Sequence, residues 1–220
     1  MLFRSIALDG KIVNKYMTEI NATKIKNISK DILHEKEDGM SPLMVIKDIF
    51  FKKDGSIVVV TEHTYTEEVP TGQNRTVTVY HADDNIVLSF DPKGTLKWAT
   101  VVPKLQSGSQ TPSSVGVRCL FKNDNLLLVY KDVIGNFKKE PDGKPIGQLG
   151  LKSTAMTTIA LITPDGKLTR KALTVPKSAE GCLYYRVFSN KISEEDFIFT
   201  SMKVSLLSGK YKLARLKIVP

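Results

Sequence analysis

Three histidines are present, His34, His63 and His81, and two of them flank a run centred on Gly72. A hairpin turning at Gly72 makes His63 and His81 direct cross-strand partners, with Glu62, Asp83 and Asp84 close by. Imidazole nitrogen beside carboxylate oxygen is a usable ligand set for a borderline divalent metal, so His63, His81 and Asp83 are the candidate metal ligands. Affinity at such a site would rise with pH as the imidazoles lose protons. A one-residue slip of the strands would throw the two rings to opposite faces. The alternative reading is a pair of exposed histidines on a protruding hairpin.

A second set is Glu62, Lys104, Gln106, Asp132 and Asn136. Each falls at the end of an apolar, strand-like segment or in the loop just after it. Such positions gather at one rim of a sheet assembly, and these five are the candidate ligand-binding residues. The competing account is structural: Glu62 and Asp132 accept from neighbouring loop backbone, and Lys104 pairs with one of them. There is no nucleophile elbow, Gly-rich phosphate loop, HExxH helix or fixed-spacing carboxylate pair. No catalytic residue and no cofactor are therefore assigned from the sequence.

The segments that position these residues are short and punctuated by glycine turns. Ile49–Phe51 and Ser56–Thr61 flank Lys52-Lys53-Asp54-Gly55. Asn85–Phe90 and Thr95–Val102 flank Asp91-Pro92-Lys93-Gly94, and Thr157–Ile162 and Lys167–Val175 flank Thr163-Pro164-Asp165-Gly166. Asp9-Gly10 and Ser208-Gly209 mark two further turns. Glycine supplies the positive φ such turns require. None of them carries the alternating carboxylates of a calcium loop. The one helical candidate is Asn27 to Glu37, capped by Ser29, stopped at Gly39 and lying in a linker over residues 21–44.

An internal repeat indicates the architecture. Asn85–Lys104 and Thr158–Lys177 both read as apolar strand, four-residue glycine turn, second strand, then Val-Pro-Lys, and a further hairpin-like pair precedes each. Two consecutive hairpins make a four-stranded antiparallel meander, and a repeated meander is the signature of a β-propeller blade. The expectation is an all-β chain of about fourteen strands, in a single propeller-like domain over residues 1–220. Residues 2–16 give half a blade, 46–104 and 116–177 two full blades, and 183–219 a hairpin plus a third strand, or roughly three and a half blades. Closed rings hold ~4–8 blades. Completion by a missing region of a longer protein, by a second copy, or by a tight small ring are the three routes to closure. Trp98 is expected largely buried between blades, and Tyr184, Tyr185 and Phe188 are read as inter-blade packing rather than a sugar-stacking platform.

The segments Asp54–Tyr65 (DGSIVVVTEHTY), Asn85–Gln106 (NIVLSFDPKGTLKWATVVPKLQ) and Asn125–Asn136 (NLLLVYKDVIGN) together resemble a poorly characterised group of bacterial propeller-like repeat proteins. In that group a Glu ends one strand, a DG-W-PK-Q unit follows, and an Asp…Asn pair closes the next hairpin. The resemblance covers roughly residues 45–220 and marks the same positions, Glu62, Lys104, Gln106, Asp132 and Asn136. It implies an exported family with more blades upstream, so the expectation is a C-terminal portion, extracytoplasmic if its parent is exported.

Composition bounds the partners. The chain has 220 residues, 41% hydrophobic and 25% charged, as suits a folded protein rather than a disordered one. No apolar run approaches the ~18–20 residues of a spanning helix, and the N-terminus has no signal-peptide core. The formal net charge is +9; residues 1–110 carry 14 basic and 14 acidic side chains, and residues 111–220 carry 18 and 9. The excess is mostly lysine scattered along strands, without the arginines and stacked aromatics of base readers, so nucleic acid is not the expected partner. Cys119 and Cys182 form no CxxC and sit in apolar stretches, which reads as buried thiols, with a single disulfide as the alternative. Three glycosylation sequons, beginning at Asn21, Asn27 and Asn74, are taken as chance. The leading function is a non-enzymatic binding or scaffold module of propeller type with an unknown protein or glycan as partner. The rival is a hydrolase or lyase on carbohydrate or peptide, with Glu62 and Asp132 as acid and base ~5–10 Å apart.

Overall fold

In a computed structural model, the structure describes residues 2–6, 12–17, 25, 43–72, 75–108, 115–133, 136, 155–174, 183–193, 196–205 and 208–217. The described elements are all strands. A hairpin pairs β1 (Leu2–Ile6) with β2 (Ile12–Met17). A first meander follows, in the order β3 (Met44–Phe51), β4 (Ile57–Gly72), β5 (Arg75–Phe90), β6 (Leu96–Gly108). The second meander is β7 (Arg118–Lys122), β8 (Asn125–Val133), β9 (Ala155–Ile162), β10 (Leu168–Thr174). A three-stranded sheet closes the series, with β11 (Leu183–Ser193), β12 (Asp196–Ser205) and β13 (Ser208–Lys217). All pairings are antiparallel. The expected helix, Asn27 to Glu37, lies outside the described residues, and Met44 already belongs to β3.

Three turns are copies of one another. The residue opening each turn donates its N–H to the carbonyl four residues on and accepts from the glycine three residues on. The sets are Lys52, Gly55, Ser56; Asp91, Gly94, Thr95; and Thr163, Gly166, Lys167. The glycines have φ of +85°, +78° and +84°, a region that side chains rarely adopt. The fourth tight turn, Asn123-Asp124, has φ of +49° and +62° and is a two-residue link of the kind Asn and Asp tolerate. Side chains reinforce these bends: Asp91 Oδ1 accepts from the N–H of Lys93 at 2.9 Å and of Thr95 at 2.8 Å.

The two meanders pack face to face. Phe50, Val58, Val60, Val87 and Val102 of the first share one buried cluster with Val117, Cys119, Leu126, Leu128, Tyr130, Ala160 and Ile162 around the second. The alternate residues of the first meander, Val59, Ile86, Leu88, Phe90, Ala99 and Val101, form a second cluster with Ile25 on the opposite face. The second meander likewise uses its other face, where Leu120, Val129, Leu127 and Ile159 meet Leu216 of β13. Each central sheet is thus apolar on both faces, which explains the near-continuous runs IVVV and NLLLVY. Trp98 is half-buried rather than largely buried. Its ring lies on Gly166 in the β9–β10 turn, and its Nε1 donates to the Pro164 carbonyl at 3.0 Å. Thr100 beside it donates to the Gly166 carbonyl at 2.6 Å. Tyr184, Tyr185 and Phe188 have side chains outside the described residues, as does Cys182.

The first meander is crossed by a line of bulges. The β3–β4 register shifts between Ile46 and Asp48, the β4–β5 register between Glu62 and Thr64, and the β5–β6 register between Asp83 and Asn85. Beyond that line β6 follows β5 as far as Tyr80, after which β4 and β5 run on as a two-stranded ribbon whose outer part, Thr66–Gly72 and Arg75–Thr76, is mostly exposed.

Candidate functional site

The five candidate ligand residues all lie at the seam between the meanders, and each is at most 2% exposed. Val58, Val60 and Glu62 alternate onto the face that meets the second meander, so Glu62 is carried inward by its strand. Its two carboxylate oxygens lie 2.8 Å from Lys104 Nζ and 2.6 Å from Lys47 Nζ. Burial pushes this carboxyl upward, but the Lys104 and Lys47 ammoniums prevail and hold it below the usual carboxylate range. Lys104 reaches Glu62 because the β6 bulge turns it inward; its backbone N–H is fixed by Asp84 Oδ1 at 2.9 Å, and its Nζ also donates to the Ala82 carbonyl at 2.7 Å. A fully buried lysine is tolerated only with such complete pairing.

Gln106 ties the sheets together. Its Nε2 donates to the Lys131 carbonyl on β8, and its Oε1 accepts from the Gly116 N–H ahead of β7, both at 2.7 Å. On the far side, Asp132 Oδ1 accepts from the Asn136 side-chain amide and from the Val133 N–H, each at 2.8 Å. Asp132 Oδ2 is buried without a hydrogen-bond partner, as is Asn85 Oδ1 on the facing strand. Burial outweighs the help from Asn136, Val133, Arg170 and Lys104, and raises the Asp132 carboxyl. Tyr130 is raised by the same burial, with Asp132 adding to the effect and Arg170 opposing it. The arrangement neutralises charge between two apolar sheets and fixes their relative position.

The histidines are arranged differently from the expectation. The β4–β5 register pairs Tyr65, not His63, with His81, because Gly72 pairs with Arg75 and the register then shifts by one residue between Pro70 and Gly72. The pairing is displaced by two positions, so His63 stays on the face of Tyr65 but one step away. The Tyr65 and His81 rings stack with centroids 4.3 Å apart and planes within 1°, and the His63 ring tilts against Tyr65 at 5.4 Å. His63 Nδ1 is 3.9 Å from Asp83 Oδ2, while His81 Nε2 is 3.3 Å from Glu67 Oε2. Burial raises the Asp83 carboxyl despite Lys104, His63 and His81 nearby. Tyr65 occupies the space between the two imidazoles, and among the described residues no group of three or more His, Cys, Asp or Glu is placed to hold a metal ion.

Sequence reasoning missed Lys47, Tyr65, Asn85 and Arg170. Lys47 carried a signal, being a lone cation in the otherwise apolar strand Met44–Phe51 apart from Asp48. Asn85 also carried one, since it opens the first copy of the repeat where the second has Thr158. No protein-family model, curated protein or solved structure matches the chain. No helix among the described residues is long and apolar enough to cross a membrane.

Proposed function

We propose that the chain is a non-enzymatic binding or scaffold module assembled from propeller-type meanders, with a protein or glycan as its partner. The observation that carries this reading is the state of Glu62. An acid or base must exchange protons with a substrate, whereas both Glu62 oxygens are held by lysines at a position with no solvent exposure. Asp132 is equally enclosed. What the fold offers to the outside is the β4–β5 ribbon, a rigid-rooted arm with threonines, Glu67, Glu68 and Arg75 on its surface. The edges of such a ribbon suit main-chain recognition of an extended segment by strand addition.

The test is retention on glycan and peptide arrays, followed by a turnover assay on every species retained. Binding without turnover is expected, with the interaction reduced at least tenfold when residues 67–78 are replaced by a short Asn-Gly link. Turnover of a glycosidic or peptide bond that vanishes in Glu62→Gln while the melting temperature is kept would overturn the proposal in favour of a hydrolase.

A further inference from the structure

Glu62, Asn85 and Lys104 stand side by side on three adjacent strands. β5 lies between β4 and β6, and Asn85 on it pairs with Glu62 on one side and Val102 on the other. Cross-strand partners share a face of the sheet, and Val102 belongs to the buried cluster between the meanders, so Glu62 and Asn85 both point into the seam. Lys104 starts on β6 and meets Glu62 of β4 at 2.8 Å, so its side chain crosses over β5. Its Nζ also donates to the Ala82 carbonyl of β5 at 2.7 Å, which holds the amine above that strand beside the Glu62–Asn85 pair. None of the three residues has any solvent exposure.

The direct charges do not balance at this point. Lys47 and Lys104 both contact the one Glu62 carboxylate, at 2.6 and 2.8 Å, which leaves one surplus ammonium in a dry seam. Asp83 and Asp132 lie within the field of Lys104, but neither is ion-paired with it. A surplus buried charge is costly, and a chemical step that removes it is favoured. The Asn85 amide is held still beside this amine. Its Nδ2 donates to the Thr61 carbonyl at 2.9 Å, while its Oδ1 is buried without a hydrogen-bond partner.

We propose that Lys104 and Asn85 become joined by an intramolecular amide bond that the folded chain makes for itself, with Glu62 moving the protons. Glu62 takes a proton from the Lys104 ammonium, and the freed lone pair of Nζ attacks Asn85 Cγ. Nζ then passes a second proton to the departing nitrogen as the Cγ–Nδ2 bond breaks. The ammonia leaves as ammonium, carrying the proton that Glu62 had stored. The step is neutral in electrons and needs no co-reactant. Nucleophile and electrophile are held on one framework away from water, the condition under which effective molarities become large. The base is at hydrogen-bond distance from the nucleophile, and a desolvated lysine amine is a competent one. The product has lost the surplus cation, and Glu62 keeps Lys47 as its single counter-ion. The distances above describe the reactant. This bond goes beyond the module reading without depending on it: the enclosure that denies Glu62 an outside substrate leaves it the chain's own amide.

Peptide mapping by mass spectrometry on the unfolded, digested full chain tests the bond. The wild type should yield a branched peptide in which Lys104 is joined to residue 85, lighter than the two separate peptides by one ammonia. Lys104→Arg should yield only separate peptides of full mass. Folded Glu62→Gln should form the branch at least about a hundredfold more slowly. Wild-type peptides of full mass, with Lys104 cleaved normally by trypsin after prolonged incubation of the folded chain, would overturn the proposal. So would a branch lighter by one water that joins Lys104 to Asp132 or Glu62, because the electrophile would then be a carboxyl. Loss of ammonia from residue 85 without a branch would overturn it too, and so would a branch formed by Glu62→Gln at the wild-type rate. The wild-type map keeps the test decisive if either variant fails to fold.

Discussion

At the scale of the residue, three buried groups make separate demands on the solvent. Lys131 is buried on β8, and burial pulls its ammonium down to about 8. Because the folded chain gives up this proton more readily than the unfolded one, the group opposes folding below about pH 8 and that penalty fades as pH rises toward its ordinary value. Lys131→Met is expected to stabilise the protein at pH 7 by about 1–3 kcal/mol, and urea melts at pH 7 and 9.5 should show the wild type gaining on the variant. Asp132 is the reverse of a salt-bridged acid. Its carboxyl is raised by burial, so protonation in mildly acidic solution favours the folded state. Asp132→Asn keeps the acceptor that meets Asn136 and Val133, and should cost less than about 1 kcal/mol at pH 7; a loss above 2 would show that Asp132 is held as a needed charge. Glu62 behaves oppositely. Its lowered carboxyl contributes stability that is present above the usual carboxylate range and lost as pH falls through it. Lys104→Met leaves Glu62 with Lys47 alone and should cost about 3 kcal/mol, measured at pH 7 by chemical denaturation.

At the scale of the element, the repeated turn joins the meanders as well as reversing the chain. A β-carbon on Gly166 would sit 2.8 Å from Trp98 Cδ2, at a φ of +84°. Gly166→Ala therefore meets both a clash and a strained backbone, and should destabilise by about 2–3 kcal/mol with a shift of the Trp98 fluorescence. Gly72, at φ +90° with open space around it, should give a smaller loss on the same change, from backbone strain alone. These turns were also what made the fold readable. The glycine four-residue links place strand boundaries at Lys52–Ser56, Asp91–Thr95 and Thr163–Lys167, and the structure breaks its strands there. The second meander and the three-stranded sheet fall within the expected residue blocks for the same reason, while β2 runs on to Met17 and the first meander, Met44–Gly108, overruns its block at both ends. The long hairpin was misread because Gly72 looks like a turn centre, while it pairs with Arg75 and a shift between Pro70 and Gly72 moves the register by a residue that leaves no trace in the apolar pattern. The C-terminal hairpin shows a similar effect: Val204 pairs with Gly209 and Ser205 with Ser208, so the link precedes the Ser-Gly dipeptide.

At the scale of the whole molecule, one core serves two meanders. The cluster containing Val58, Val87 and Val102 is completed by Leu126, Leu128 and Ala160 of the next sheet. Neither meander buries that face alone, so the two should unfold together. Hydrogen exchange is expected to give amides of β4, β5 and β8 one common free energy of opening, and Leu128→Ala should lower it by about 2–5 kcal/mol in both meanders at once. Loss of protection in β8 alone would contradict this. The five polar seam residues were legible as a set because the sequence pattern puts each at the end of an apolar segment, although β4 runs on past Glu62 to Gly72 and β6 past Lys104 and Gln106 to Gly108. Their burial was not, since whether such a position faces solvent depends on how closely the next sheet approaches, and no local pattern records that distance.

The line of bulges through β3, β4, β5 and β6 also divides the first meander into two indexing zones. On the core side, partners on β4 and β5 have residue numbers adding to 147; through most of the ribbon they add to 146. The bulge between them works like the joint between a handle and a tool. Residues can be added to or removed from the arm in opposed pairs without altering which side chains enter the seam, because the Glu62–Asn85 pair sets the core count independently. Deletion of Glu68 with Thr78, which face each other and are joined by a 2.6 Å hydrogen bond, should thus leave the melting temperature within a few degrees of wild type. Deletion of His63 alone, which leaves Asp83 and Asp84 with no residue opposite them, should unfold the meander. Arm length is therefore the dimension along which relatives of this chain are free to diverge while retaining an identical interior.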